Sequence, residues 1–104
     1  MTFQSAVEST APVRDHFRAG LQGLRKADRG RLRYTSPRRL RGSVNVDQAL
    51  RGSYPNDPRW DYAIGIRRDG RSDEAVWAEV HAASSLHVNE LLAKLQWLRR
   101  WLDQ

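Results

Sequence analysis

The fold is decided by residues 59–81, "RWDYAIGIRRDGRSDEAVWAEVH", which contain two strand patterns separated by a turn. Both patterns alternate apolar residues with other residues, as strands do when they bury one face. The apolar sets are Tyr62, Ile64 and Ile66 in residues 60–68, and Val76, Ala78 and Val80 in residues 74–82. The stretch "DGRSD" between them is typical of a turn, so the two strands are predicted to form an antiparallel hairpin.

Patterns typical of further elements flank the hairpin. A first helix is predicted over about residues 11–28, with Thr10 as its N-cap and with apolar residues at helical spacing. A short strand is predicted within residues 42–50, with Val44 and Val46 on one face, and residues 51–58 are predicted to be a loop. The last helix is predicted over residues 86–103. Its buried stripe is predicted to be Val88, Leu91, Leu92, Leu95, Leu98 and Leu102.

The order of these elements predicts an α+β fold in a single domain, residues 1–104. We expect a small, mainly antiparallel sheet of three strands or slightly more, flanked by an N-terminal and a C-terminal helix. The chain has 104 residues, a common size for one domain.

Basic residues are concentrated in one part of the chain. The formal net charge is +6, and ten of the eighteen Lys and Arg residues lie between Arg14 and Arg41, where only Asp15 and Asp28 oppose them. Such a block attracts polyphosphate, so nucleic acid is a predicted partner, although a solvated basic surface would show the same composition. The candidate nucleic-acid contacts are Arg29, Arg31, Arg33, Arg38, Arg39 and Arg41.

Several classes of protein are excluded by composition. There is no cysteine, so disulfides, thiolate zinc sites and cysteine nucleophiles are absent, as is typical of a cytoplasmic protein. The first ten residues, "MTFQSAVEST", do not resemble a signal peptide. No stretch approaches the roughly 20 apolar residues that span a membrane. We therefore expect a cytoplasmic protein without a membrane segment.

The register of the hairpin decides whether its acidic residues meet. A two-residue turn would place Asp61 and Glu79 on opposite faces, whereas an odd-length loop would place both on one face with His81. The apolar pattern requires the odd-length loop, because only that register puts both apolar sets on the same buried face. Asp47 joins the acids if Val44 and Val46 follow the buried face. The alternative interpretation is an ordinary polar strand face.

The segments "PRWDYAIGI" and "EVH", followed by the apolar helix "NELLAKLQWLRRWL", resemble the PD-(D/E)XK nuclease superfamily over most of residues 42–102. This resemblance implies a helix, a three-stranded meander and a second helix. It also implies Mg²⁺ or Mn²⁺ held by Asp61 and Glu79, and hydrolysis of phosphodiester bonds in nucleic acid. His81 stands where the family has lysine, so a neutral imidazole that accepts a proton or binds a softer metal replaces a permanent positive charge.

Two other functions remain open. One is a catalytically inactive relative that binds nucleic acid through its arginines. The other is a protein-interaction module that uses Trp97 and Trp101, which lie on a different flank of the last helix from the leucine stripe. Large aromatic side chains are rarely left exposed. We expect Trp101 to pack within the chain and Trp97 to contact a second copy in a homodimer.

Overall fold

The computed structural model describes residues 2–32, 37–70, 72–80 and 88–103. In these residues, four strands form one antiparallel sheet in the order β1-β2-β3-β4. The strands are β1 (Phe17–Arg18), β2 (Leu40–Asn45), β3 (Tyr62–Ile66) and β4 (Glu74–Ala78). The helices are α1 (Phe3–Glu8), α2 (Lys26–Arg29), α3 (Val46–Leu50) and α4 (Val88–Leu102), with 3₁₀ turns at Ala11–His16 and Pro37–Arg39. The predicted α+β class is therefore confirmed.

The β3–β4 hairpin has the predicted register. Tyr62 pairs with Ala78, and Ile64 pairs with Val76. The connection, residues 67–73, contains an odd number of residues, so the apolar sets of the two strands share a face. The expectation of an odd-length loop is confirmed.

Strand β3 is buried on both faces, which the alternating pattern did not predict. Tyr62 and Ile64 pack with Leu24 on one side of the sheet. Ala63 packs on the other side with residues of α1, α3 and α4. Strand β4 lies at the edge of the sheet, and Val76 is accordingly 39% exposed.

The predicted first helix over residues 11–28 is wrong. Phe17 pairs with Val44 of β2, and Gly20 has φ +51°, a left-handed conformation that interrupts a helix. At Gly23 a Cβ atom would lie 2.8 Å from Ser43, so the chain passes directly against β2 there. The helix signal was overridden because the middle of this segment lies against the sheet. Within the segment, only the 3₁₀ helix Ala11–His16, which follows Thr10 as predicted, and α2 are helical.

Helix α1 lies where the sequence shows no clear period. The Thr2 hydroxyl accepts a hydrogen bond from the Ser5 amide at 3.1 Å, and the Ser5 hydroxyl accepts one from the Thr2 amide at 3.1 Å, which forms a capping box. Phe3 and Val7 are buried. A Cβ atom at Gly65 would lie 2.2 Å from the Phe3 ring, so the ring rests on the backbone of β3.

The predicted strand in residues 42–50 is partly right. Strand β2 ends at Asn45, whose side chain accepts a hydrogen bond from the Gln48 amide at 3.0 Å and so caps α3. Val44 and Val46 are both buried, but Val46 belongs to α3, so the two valines do not share a strand face as predicted. Residues 51–58 form a loop, as expected.

Helix α4 forms where it was predicted, but its buried side is different. Leu98 is buried, whereas the other described leucines of the predicted stripe are exposed, namely Leu92, Leu95 and Leu102. Trp97 is buried and Trp101 is half-buried, so the helix turns its aromatic flank toward the sheet. None of the helices in the described ranges has the length and apolar character needed to cross a bilayer.

Substitution of Tyr62 by Phe tests the packing of α2 on the sheet. The Tyr62 hydroxyl donates to the Asp28 carboxylate and accepts from the Arg25 amide at 3.3 Å. We expect a loss of about 1 kcal/mol in the free energy of unfolding near neutral pH. Urea titration measures it. The double variant Tyr62→Phe/Asp28→Ala should lose little more free energy of unfolding than Tyr62→Phe alone. If the losses of the two single variants add up in the double variant, the two side chains are not coupled.

The same pair predicts an effect at alkaline pH. Burial, with the hydrogen bond to Asp28, raises the pKa of Tyr62 above its ordinary value of 10.0. The folded state therefore favours the neutral phenol, which stabilises the fold at pH values below 10.0. This stabilisation is lost as the pH rises through the pKa of the folded state. As the pH rises above 10.0, the free energy of unfolding of Tyr62→Phe should therefore fall less than that of wild type.

Candidate active site at the Asp61–Glu79 pair

Asp61 and Glu79 lie side by side at one end of the β3–β4 hairpin. Continuing the strand register by one residue places them opposite each other. The Glu79 carboxylate accepts a hydrogen bond from the Asp61 amide at 3.2 Å, and the Asp61 carboxylate accepts one from the Val80 amide at 3.0 Å. The two acids therefore face the same side of the sheet, as the odd-length connection predicts.

Lys94 of α4 completes this group. Its Nζ lies 2.6 Å from Oε2 of Glu79, and the two side chains are only 16% and 8% exposed. Burying a carboxylate costs free energy unless a cation or several hydrogen-bond donors compensate for the lost water. Lys94 therefore supplies, from a different element, a positive charge beside the two acids.

The loop before β3 holds Lys94 and α4 in place. The Trp60 indole donates to the carbonyl oxygen of Lys94 at 3.0 Å, and Lys94 Nζ donates to the carbonyl oxygen of Arg59 at 3.2 Å. One turn further along the helix, the Trp97 indole donates to Asp57 at 2.7 Å. The loop and the aromatic flank of α4 are thus joined by directional bonds, which accounts for the helix orientation.

A second charged group borders the first. Asp47, in the first turn of α3, accepts hydrogen bonds from Arg51 at 2.5 Å and from Arg59 at 3.0–3.1 Å. The amides of Val46 and Asp47 both donate to the carbonyl oxygen of Asp61. Asp47 therefore lies beside the candidate site, but its carboxylate is bound by two arginines.

Burial and the two neighbouring arginines shift the pKa of Asp47 in opposite directions. Burial raises its pKa, but the hydrogen bonds and charges of Arg51 and Arg59 outweigh burial. The pKa of Asp47 consequently lies below its ordinary value of 3.8, so the side chain stays ionised as a partner for these arginines.

The predicted site residues are only partly brought together. Asp61 and Glu79 meet, whereas His81 lies outside the described residues. Within the described ranges, no group of three or more His, Cys, Asp or Glu residues is placed to hold a metal ion.

Most of the candidate arginine contacts lie away from this site. Arg38, Arg39 and Arg41 flank the end of β2 that pairs with Ile66, and β3 extends about 13 Å from Ile66 to Tyr62. Arg39 pairs with Asp69 at 2.9 Å and Arg41 with Asp73 at 3.6 Å. Arg29 and Arg31 are exposed in and after α2, and Arg33 is outside the described residues. The described arginines therefore form more than one surface.

The two tryptophans of α4 pack inside the chain. Trp97 is 5% exposed and stacks on Trp101 with ring centroids 6.1 Å apart, and Trp101 contacts Trp77 edge-on. The expectation that Trp101 packs within the chain is confirmed. Trp97 was expected to face outward, toward a second copy, but it is buried. A homodimer through Trp97 and Trp101 stays a prediction.

Sequence reasoning missed Lys94 and Arg59 as site residues. Lys94 precedes Trp97 by three residues, on the same flank of the helix, so an aromatic stripe that included Lys94 could have indicated it. Arg59 gave no such signal, because its partner Asp47 lies on a different element.

Comparison with models of known protein families gave no match, and neither did comparison with curated proteins or with solved structures. The resemblance to the PD-(D/E)XK superfamily therefore stays a prediction.

Replacement of Asp47 by Ala tests the second charged group. It should cost about 2 kcal/mol of unfolding free energy at neutral pH, because Arg59, which is 12% exposed, loses its carboxylate partner. Since the folded pKa of Asp47 is lowered, its stabilisation is present above pH 3.8 and is lost as the pH falls below that value. Urea titrations from neutral pH down to about pH 3 should show the difference from wild type shrinking. Asp15→Ala, at an exposed site, is the control. A constant difference would mean that the charge of Asp47 is not responsible.

Proposed function

We propose that this chain is a divalent-cation-dependent phosphodiesterase of the PD-(D/E)XK type that acts on nucleic acid. The observation that supports this proposal is the meeting of Asp61, Glu79 and Lys94 at one end of the sheet. Asp61 directly precedes β3, Glu79 directly follows β4, and Lys94 lies in α4. Two acids and a lysine are the residue types that the resemblance requires. Lys94 supplies the permanent charge that His81 would not.

The donor set suits a hard cation. Asp61 and Glu79 offer carboxylate oxygens, the preferred ligands of Mg²⁺ and an adequate set for Mn²⁺. A cation bound there would polarise the phosphodiester and lower the pKa of an attacking water. Asp61 and Glu79 are the residues that would hold it.

The surrounding residues have separate roles in this proposal. Lys94 would stabilise negative charge on the phosphate or orient the water, since an ammonium group has three donors. Arg51, which is 57% exposed, would attract the phosphate backbone beside the site. His81 is retained in the proposal as the residue at the position where the resemblance implies lysine. The proposal includes the predicted cytoplasmic location.

Cleavage assays test the proposal directly. Labelled single-stranded DNA, duplex DNA and RNA should each be incubated with Mg²⁺ or Mn²⁺. We expect at least one substrate to be cleaved, and Asp61→Asn and Glu79→Gln to lower the rate about a hundredfold or more, because a metal contributes several kcal/mol to such a transition state. His81→Lys should preserve or raise the rate.

Asp15→Asn is the matched control, because Asp15 is an exposed acid outside the site. Circular dichroism should show that each variant is folded. Cleavage that persists in both Asp61→Asn and Glu79→Gln would contradict the proposed site.

A second candidate is an inactive relative that binds nucleic acid. It is favoured by the bonding of Asp61 and Glu79, whose carboxylates already accept bonds from two amides and from Lys94. In that case the group joins β3, β4 and α4 without doing chemistry. The arginines then carry the function.

Salt dependence of binding tests this candidate and locates the surface. Each phosphate contact on duplex DNA contributes about 0.9 to the slope of log affinity against log salt. If the Arg38–Arg41 end of the sheet binds, Arg38→Ala should reduce the slope by about that amount and Arg51→Ala should not. If DNA lies over the candidate site, the two effects should be reversed. Filter binding that detects no complex at low salt would reject both surfaces.

A further inference from the structure

The side chain of Glu79 is held by bonds at both carboxylate oxygens. Oε1 accepts from the Asp61 amide at 3.2 Å, and Oε2 accepts from Lys94 Nζ at 2.6 Å. Glu79 is 8% exposed, and the ammonium of Lys94 lies against its carboxylate in place of water. A cation that binds Glu79 must therefore compete with Lys94.

A divalent ion and the Lys94 ammonium cannot share one oxygen of Glu79 at low cost. Like charges at such short range repel strongly, and the repulsion grows as the site is removed from water. The ion carries twice the charge of the ammonium. It would therefore replace Lys94 at Oε2 rather than join it.

The ammonium group of Lys94 has a second hydrogen-bond acceptor beside the site. Its Nζ also donates to the carbonyl oxygen of Arg59 at 3.2 Å. The lysine stem is flexible and its head has three donors, so the ammonium can leave Glu79 and keep this bond. It would then remain beside the site with donors free for a phosphate.

We infer that Lys94 is an exchangeable counter-ion of Glu79: a divalent cation at Asp61 and Glu79 displaces the ammonium, which stays on the Arg59 carbonyl oxygen. The inference rests on the proposed metal site and adds a step to it. Lys94 pairs with the buried carboxylate before the ion binds, and the ion releases the ammonium to face the substrate.

Lysine labelling measures the release without any assay of activity. The chain has only two lysines, Lys94 and the exposed Lys26, so Lys26 is a control within the same molecule. After a brief pulse of an amine-acylating reagent, mass spectrometry gives the labelling of each. Without metal, Lys94 should react much more slowly than Lys26. Mn²⁺ should raise the labelling of Lys94 severalfold and leave Lys26 unchanged.

Variants separate exchange from a general loosening of the fold. Glu79→Gln should raise Lys94 labelling without metal and make it insensitive to Mn²⁺. By calorimetry, Lys94→Met should bind Mn²⁺ about tenfold more tightly than wild type, within the range usual for coupling between two ligands. Lys94→Arg should bind Mn²⁺ more weakly, because a guanidinium holds a carboxylate with two bonds. Lys26→Met is the matched control and should match wild type.

The outcomes distinguish this inference from the proposed function. If wild type binds Mn²⁺ and Asp61→Asn abolishes binding, but Lys94 labelling does not change, the exchange is wrong and the metal site stands. Equal affinity in wild type and Lys94→Met would overturn it in the same way. If calorimetry detects no Mn²⁺ binding by wild type at millimolar concentration, the metal site and the exchange both fail. The labelling arm uses unmodified protein, so it decides the matter even if Lys94→Met does not fold.

Discussion

The ion pair between Glu79 and Lys94 joins the end of the hairpin to the C-terminal helix, and it positions α4 together with the bonds that Trp60 and Trp97 make. Burial makes the pair sensitive to the loss of either partner, because the remaining charge would lie in a poorly solvated place. Lys94 and Trp97 occupy the same flank of α4, so the helix presents that flank to the sheet. The leucines at positions 92, 95 and 102 are exposed as a consequence.

The depth of the candidate site follows from the burial of β3 on both faces. The face that carries Asp61 is covered by helices, whereas an isolated hairpin would leave that face in water. Charges are also divided along the sheet. The two acids and Lys94 lie at one end, and the pairs Arg39–Asp69 and Arg41–Asp73 lie at the other. Arg39 and Asp69 are exposed, and a pair of this kind stabilises a fold only weakly. Asp73, by contrast, is only 8% exposed and also accepts a hydrogen bond from the Phe3 amide at 2.8 Å.

The contacts that define the candidate site also hold the molecule together. The backbone amides of Asp61 and Val80 are bonded to the two carboxylates, and the loop at Arg59 and Trp60 is bonded to Lys94. A chemical role for these residues would require some of these contacts to exchange while the others persist. Proteins commonly give up some stability at functional sites for this reason.

The sequence by itself determined the α+β class, the hairpin and its register, and therefore that Asp61 and Glu79 face one side. These features are local: strand alternation has a period of two residues, and the length of one connection sets the pairing. Tertiary structure decided the rest. The segment around Gly20 and Gly23 is not helical because it lies against β2, and the buried side of α4 is set by bonds to a loop some 35 residues earlier in the chain. Lys94 reaches Glu79 through that packing, and helical periodicity within α4 carries no information about a partner on another element.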